Sequence, residues 1–306
     1  MAALVSNIFR IAGLSLLMAN VSAQDADPAL VEKARALSEP RSEASFIRQC
    51  TVEPARFPGL GDGVAAVPGK LFDNLYYVGR TDVGAWIIKT SDGLVLIDTL
   101  YNAGDAEQIV DGGIRKLGLD PADLKLAFVT HFHGDHSGGS AYFRERGVRV
   151  MLSETDWEQL GGAPADENIA RDGQVVMVGD TPFTVVLTPG HTPGAISLIF
   201  PVFENGVRHM AVVMELSPRG GVEVHREAVE GIAHLAEFTG EAGVDVALHP
   251  HEMIFDPVAR DFIMSASTRA TGSANPLVIG NKSVQRFAEM IGICWQARIV
   301  TLAAAQ

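Results

Sequence analysis

The chain has 306 residues, with 24 Lys and Arg against 37 Asp and Glu, a formal net charge of −13. A surface this acidic repels phosphate backbones, which argues against nucleic acid as a partner. Hydrophobic residues at 47% and charged ones at 20% allow a sizeable core and exclude a disordered chain, and the length suits one large domain or two small ones.

Arg10 precedes an apolar stretch from Ile11 to Ala19, and Val21-Ser22-Ala23 supplies the small residues after which a signal peptidase cuts. Residues 1–23 therefore read as a signal peptide cleaved near Ala23, and the mature protein is expected in the periplasm or the exterior. Cleavage removes Arg10 and no acid, taking the charge from −13 to −14. No uninterrupted apolar run reaches the roughly 18 residues of a membrane span, so no membrane contact is expected after cleavage. The two cysteines, Cys50 and Cys294, could pair in an oxidising compartment and tie the N-terminal region to the last helix. The alternative is two unrelated buried thiols.

Residues 24–70 read as a lead-in. It holds an amphipathic helix around Pro28–Leu37, followed by irregular chain where Pro and Gly cluster at 54–69. From residue 71 a single domain is expected to run to 306. Short β-type runs stand at 75–78, 85–88 and 94–97, split by turns such as Ser91-Asp92-Gly93. Residues 105–117 have helical spacing, with Ile109, Val110, Ile114 and Leu117 apolar. The run 126–129 is continuously apolar, as a strand buried on both faces would be. Further strands are predicted at 148–152, 174–178, 183–188, 195–202, 209–214 and 246–248, and helices at 224–239, 256–268 and 281–300. Two strand-rich halves, each closed by helices, predict an α/β class with two packed sheets and helices outside.

The strand 126–129 runs into Thr130-His131-Phe132-His133-Gly134-Asp135-His136. Three histidines and an aspartate within six residues suit a metal, because imidazole nitrogen and carboxylate oxygen are zinc donors. His131 and His133, two apart in an extended turn, can face one ion, and Asp135 and His136 a second. Thr188-Pro189-Gly190-His191-Thr192-Pro193-Gly194 presents another histidine in a rigid turn after a strand. The last candidate lies in His249-Pro250-His251. His209, His225 and His234 read as surface or packing residues.

On these motifs the chain resembles the metallo-β-lactamase superfamily of dinuclear metal hydrolases, over roughly residues 70–300. The resemblance implies a four-layer αβ/βα sandwich with two zinc ions at one edge of the sheets. It makes His131, His133 and His191 ligands of the first zinc, and Asp135 and His136 ligands of the second. His251, preceded by Pro250, fits the last ligand better than His249. Asp98, after the run 94–97, matches an aspartate that supports the metal loop from behind; a strand-end aspartate that merely caps the next turn is its alternative. Asp156-Trp157 looks familiar from exported members.

The chain departs from the superfamily where many hydrolases place a Gly-Asp that bridges both metals. Here the run 209–214 continues Glu215-Leu216-Ser217-Pro218-Arg219. With no cysteine ligand and no bridging aspartate, the pattern is similar to the β-lactamase subclass B3. Glu215 either replaces the bridging aspartate or is a solvated strand-end residue. Ser217 or Arg219 could grip a substrate carboxylate; a plain turn residue is the alternative for Arg219. The resemblance implies hydrolysis of a small molecule by a metal-bridging hydroxide oriented by Asp135. A β-lactam is the leading substrate, with lactonase, thioester hydrolase or sulfatase activity as the alternative.

Overall fold

A computed structural model describes residues 27–51, 61–215, 217–266, 274–304 and 306. The expected signal peptide and its cleavage position lie outside the described residues, as does the stretch 54–60 of the Pro- and Gly-rich part of the lead-in. The first sheet takes its seven strands in chain order: β1 (Gly69–Lys70), β2 (Leu75–Tyr77), β3 (Trp86–Thr90), β4 (Gly93–Ile97), β5 (Leu124–Phe128), β6 (Arg149–Ser153) and β7 (Ile169–Ala170). The second holds β8 (Val175–Val178), β9 (Thr181–Leu187), β10 (Ile196–Glu204), β11 (Val207–Val213) and β12 (Val246–Leu248), ordered β12-β11-β10-β9-β8.

Pairs made by hairpins are antiparallel, and the parallel pairs follow crossovers. The helical run from Ala103 to Lys116 carries the chain from β4 to its parallel neighbour β5. The helix Val222–Glu241 carries it from β11 to the parallel β12.

Side-chain alternation explains why four layers form. In β4, Val95 and Ile97 enter the core between the sheets, whereas Leu94 and Leu96 enter the core under the outer helices. In β10, Leu198 and Phe200 face the first sheet, and Ile199 packs toward the helices Val222–Glu241 and Asn281–Ala304. Strands wanted on both faces must be apolar throughout, which is why 126–129 shows no alternation. The result is the expected αβ/βα sandwich.

Local departures have local causes. Residues 105–117 belong to one helical run that begins at Ala103, and includes a wide turn over Ala106–Asp111 next to Gly112-Gly113. A one-turn helix, Glu252–Phe255, precedes the helix expected at 256–268, which runs Pro257–Ser265. Asp256 ends the first and caps the second by accepting from Val258 N and Ala259 N, and Pro257 fits the opening position. The two-residue strands β1 and β7 are too short to carry a period. The lead-in forms Pro28–Leu37 and then two more helical turns, Glu43–Phe46 and Ile47–Thr51. The last helix, Asn281–Ala304, has the length and composition of a membrane span, although Arg286, Glu289 and Arg298 interrupt its apolar run. Here it is a core helix: Met290, Ile291, Cys294 and Trp295 are buried against the second sheet and its neighbours.

Cys50 and Cys294 are joined in a disulfide across a sequence separation of 244. It fastens the lead-in to the last helix. Reducing it frees a very long loop in the unfolded chain, so a Cys50→Ser, Cys294→Ser double variant is expected to lose about 2–4 kcal/mol of stability. The urea midpoint reads this directly, and an unchanged midpoint would rule it out.

Candidate metal centre

The site grows from the C-terminal ends of β4 and β5. Their register sets Ile97 beside Phe128, so Asp98 arrives next to Thr130. Asp98 has φ +63°, a left-handed conformation that Asp adopts more readily than most residues. That turn points its buried carboxylate at the neighbouring strand end. Oδ1 accepts from Thr130 N at 2.7 Å, Oδ2 accepts from Thr130 Oγ1 at 3.0 Å, and Oδ2 lies 2.8 Å from His136 Nδ1. Thr99 adds N–H and O–H bonds to His136 O at 2.7 and 2.8 Å. The close approach needs Gly138, where a Cβ would stand 1.9 Å from Tyr101 O. Asp98 thus holds the loop and orients a ring in it, and is more than a turn cap.

Two groups of ligand atoms result. His131, His133 and His191 converge within 4.8 Å, with His133 Nδ1 and His191 Nε2 3.0 Å apart. His131 is fully buried, and its Nε2 has no hydrogen-bond partner. His191 Nδ1 donates to Ser217 O at 2.6 Å, which leaves Nε2 as the ligand atom. Asp135, His136 and His251 form the second group. His136 Nε2 lies 3.2 Å from His251 Nε2 and 3.3 Å from Asp135 Oδ2. His251 Nδ1 donates to Asp82 O at 2.7 Å, fixing its tautomer as Ser217 O fixes that of His191.

The two histidines of His249-Pro250-His251 part company. His251 joins the second group, while His249 belongs to neither, its Nδ1 accepting from His251 N at 2.8 Å and its Nε2 3.6 Å from Glu215 Oε1. His209, His225 and His234 bond to Asp245, Gly221 O and Asp172, far from both groups. Glu215 is buried, not solvated. It forms a third convergent group with His131 and His136, one residue from each of the other two.

Asp156 is the residue the motifs did not single out by role. Buried in the first turn of the helix Glu154–Gln159, it accepts from Phe132 N at 2.8 Å and, from the other half of the chain, from Thr192 Oγ1 at 2.8 Å and Gly194 N at 2.9 Å. It ties the loops of His133 and His191 together. In sequence it is an ordinary acid at a helix start. Ser217 is buried and contributes its backbone carbonyl, not an exposed hydroxyl. Arg219 is exposed beside the His191 turn, its N–H on Gly190 O at 3.3 Å. Trp86 is fully buried against Tyr77, and Phe132 packs its edge near His133.

The electrostatics suit cations. Burial, and then the neighbouring rings, hold His131 well below the usual range; burial and His191 bring His133 to about 4. Burial likewise lowers His251, and takes His249 to about 3. These imidazoles are neutral at pH 7, with lone pairs available. Asp135 is lowered against its own burial by His136 and His251, and Glu215 against its burial by His191, His249 and His251. Burial opposes charge on His136, but Asp98 and Asp135 outweigh it and raise the ring to about 10. A dication placed there would displace that proton. An orphaned buried nitrogen, neutral imidazoles and ionised carboxylates form a donor set that fits zinc.

A sequence model of the metallo-beta-lactamase superfamily matches residues 78–202. Among solved structures, a subclass B3 metallo-beta-lactamase of Bradyrhizobium japonicum is 25% identical with a TM-score of 0.62, covering 79% of this chain and 97% of that one. A metallo-beta-lactamase from Legionella gormanii shares the fold at 20% identity, TM-score 0.63, over 78% of this chain and 98% of that one. Curated relatives include an N-acyl homoserine lactonase of Agrobacterium fabrum, 31% identical over 116 residues, 32% of this chain and 44% of the relative. A hydroxyacylglutathione hydrolase of Xanthomonas euvesicatoria is 33% identical over 114 residues, 37% of this chain and 41% of the relative. The chain spans less than half the length of these two curated relatives.

Zinc competition against a chromogenic chelator tests the assignment. Asp98→Ala, which leaves His136 Nδ1 and Thr130 N without their acceptor, is expected to weaken zinc binding about 10–100-fold. His251→Ala is expected to bind one zinc fewer than wild type, and His249→Ala to keep the full complement. Full occupancy in His251→Ala would reverse the choice between the two.

Proposed function

We propose, from the premise that the chain belongs to the metallo-β-lactamase superfamily, that this metal-dependent hydrolase is exported and opens β-lactam rings in the manner of subclass B3. The observation that carries this reading is the composition of the two groups. One is all histidine and the other is Asp135, His136 and His251, while both cysteines are spent in a disulfide away from the site.

His131, His133 and His191 would hold one zinc, and Asp135, His136 and His251 the other. Zinc bound there supplies Lewis acidity toward a carbonyl and makes water acidic enough to react near neutral pH. The chain's own residues do the rest. Ser217 O and Asp82 O keep two imidazoles in the ligating tautomer. Asp98 keeps a third ring in place from behind. Asp135 is ionised and partly open to solvent, so its Oδ atoms can take a proton from water and return it to the departing nitrogen. Arg219, exposed beside the His191 turn, favours an anionic substrate, and a chain of −13 disfavours nucleic acid.

One observation supports a second reading, a lactone or thioester hydrolase. Glu215 puts a carboxylate within reach of one histidine from each group, where a bridging carboxylate would stand. The relatives named lactonase and hydroxyacylglutathione hydrolase fit that reading. A hydrolysis panel separates the two. Zinc-loaded protein is expected to turn over penicillin, cephalosporin or carbapenem, and to lose that activity with chelator. Turnover of homoserine lactone or a glutathione thioester without any β-lactam turnover would replace the first reading by the second.

Export rests on the N-terminal segment, with support from the disulfide, which persists in oxidising compartments. Terminal sequencing of the protein purified from periplasm is expected to start at Gln24. A cytoplasmic protein that keeps Met1 would overturn it.

A further inference from the structure

Asp82 stands outside the histidine motifs, yet its carbonyl accepts from His251 Nδ1 at 2.7 Å. It lies in the turn 80–84 between β2 and β3, which Arg80 N closes by donating to Val83 O at 2.8 Å. This turn docks on the last ligand twice, because Gly84 N also donates to Pro250 O at 2.5 Å.

The Asp82 carboxylate is buried, and three segments supply its donors. Arg80 Nε, in the same turn, donates to Oδ1 at 3.1 Å. Gly61 N, from the lead-in, and Tyr101 O–H, from the chain after β4, each donate to Oδ2 at 2.9 Å. A buried carboxylate held by three donors, one of them charged, is fixed in place. There is little room for it to shift, since a Cβ on Gly63 would stand 1.9 Å from Oδ1.

Tyr101 belongs by its backbone to the other half of the second group. Residues 99–101 run along the loop that carries Asp135 and His136. Thr99 N donates to His136 O at 2.7 Å, Gly139 N donates to Leu100 O at 3.3 Å, and Tyr101 O packs against Gly138. His251 is thus tied to Asp82, and Asp135 and His136 are tied to the segment of Tyr101. The Tyr101 O–H bond to Asp82 joins the two ties. The first group takes its order elsewhere: Asp156 links the loops of His133 and His191, and Ser217 O holds the His191 ring.

Building on the two-zinc reading above, we propose that Asp82 and Tyr101 are positioning residues whose hydrogen bond sets the spacing of His251 from Asp135 and His136. They would tune the second zinc and leave the first alone.

Stepwise zinc competition on the disulfide-intact protein reads the two affinities separately, with His251→Ala marking loss of the second. Tyr101→Phe keeps the ring and removes only the hydroxyl, and is expected to weaken the second zinc about 5-fold. Asp82→Ala is expected to weaken it about 10-fold or more. Both are expected to leave the first zinc within about 2-fold. The double variant is expected to bind the second zinc no worse than Asp82→Ala, because both changes remove the same bond. In a His251→Ala background, Tyr101→Phe is expected to leave the remaining zinc unchanged. Parallel weakening of both zincs, as general loss of stability would give, would overturn the proposal. So would an unchanged second affinity in Tyr101→Phe, or additive losses in the double variant. A wild type that holds one zinc, or a His251→Ala variant that keeps two, would instead remove the two-zinc reading and this proposal with it. Where Asp82→Ala does not fold, Tyr101→Phe, alone and combined with His251→Ala, decides.

Discussion

The Asp98 carboxylate is the joint between the fold and the site. A fully buried carboxylate is tolerated only when its oxygens are satisfied. Here the partners are Thr130 N, Thr130 Oγ1 and His136 Nδ1, so the end of β4, the end of β5 and the loop that follows are one unit. The next bond carries the constraint across the sandwich: Ile196 N donates to Thr130 O at 2.8 Å. The position of the second sheet is thereby referred to the same residue pair that sets the first histidines. Two sheets packed only by side chains could slide by fractions of an ångström; a hydrogen bond between their edges at the site removes that freedom where ligand geometry is sensitive to it.

Asp156 performs the same service between the two halves of the chain. Its two oxygens hold Phe132 on one loop and Thr192 and Gly194 on the other, so His133 and His191, 58 residues apart in sequence, meet at 3.0 Å. Burial would push this acid up, and does so on balance, but three donors work against it. The two backbone carbonyls on His191 and His251 complete the scheme. His136, His191 and His251 are each held at the far nitrogen by a group distant in sequence, Asp98, Ser217 O and Asp82 O, and the cost of assembling such a set is met by folding itself.

Those linkages also mark where the sequence stops being readable. His131 through His136 and His191 stand in motifs whose spacing is local, so residue type and turn chemistry expose them directly. By residue chemistry alone His249 and His251 were legible only as a pair; the resemblance favoured His251, and that is the ring that meets Asp82 O, 169 residues away, and joins Asp135 and His136. Glu215 was ambiguous for the same reason: its burial comes from elements converging on it, and no neighbour in sequence reports that. Asp156 looks like any acid at a helix start, and its partners lie 24 to 38 residues off. The sandwich itself was legible because both faces of its strands are buried and their runs are correspondingly apolar. The helical turns at Glu43–Thr51 were not, since packing against the last helix and the disulfide, and not a strong local pattern, holds them.

Charge balance then bears on what the centre prefers. On the two-zinc reading, Asp135 is the carboxylate inside the second group, and Asp98 is shared with His136. Glu215 adds a second ionised carboxylate among the rings, with no compensating lysine or arginine in the three groups. In a buried, low-dielectric setting that charge draws down the positive potential the metals would offer an anionic substrate. On that reading, a glutamate buried beside the all-histidine first group trades attraction for anions against a firmer hold on cations. Any anionic substrate would have to recover that attraction from the rim, and the cation placed there is Arg219, beside the turn that carries His191.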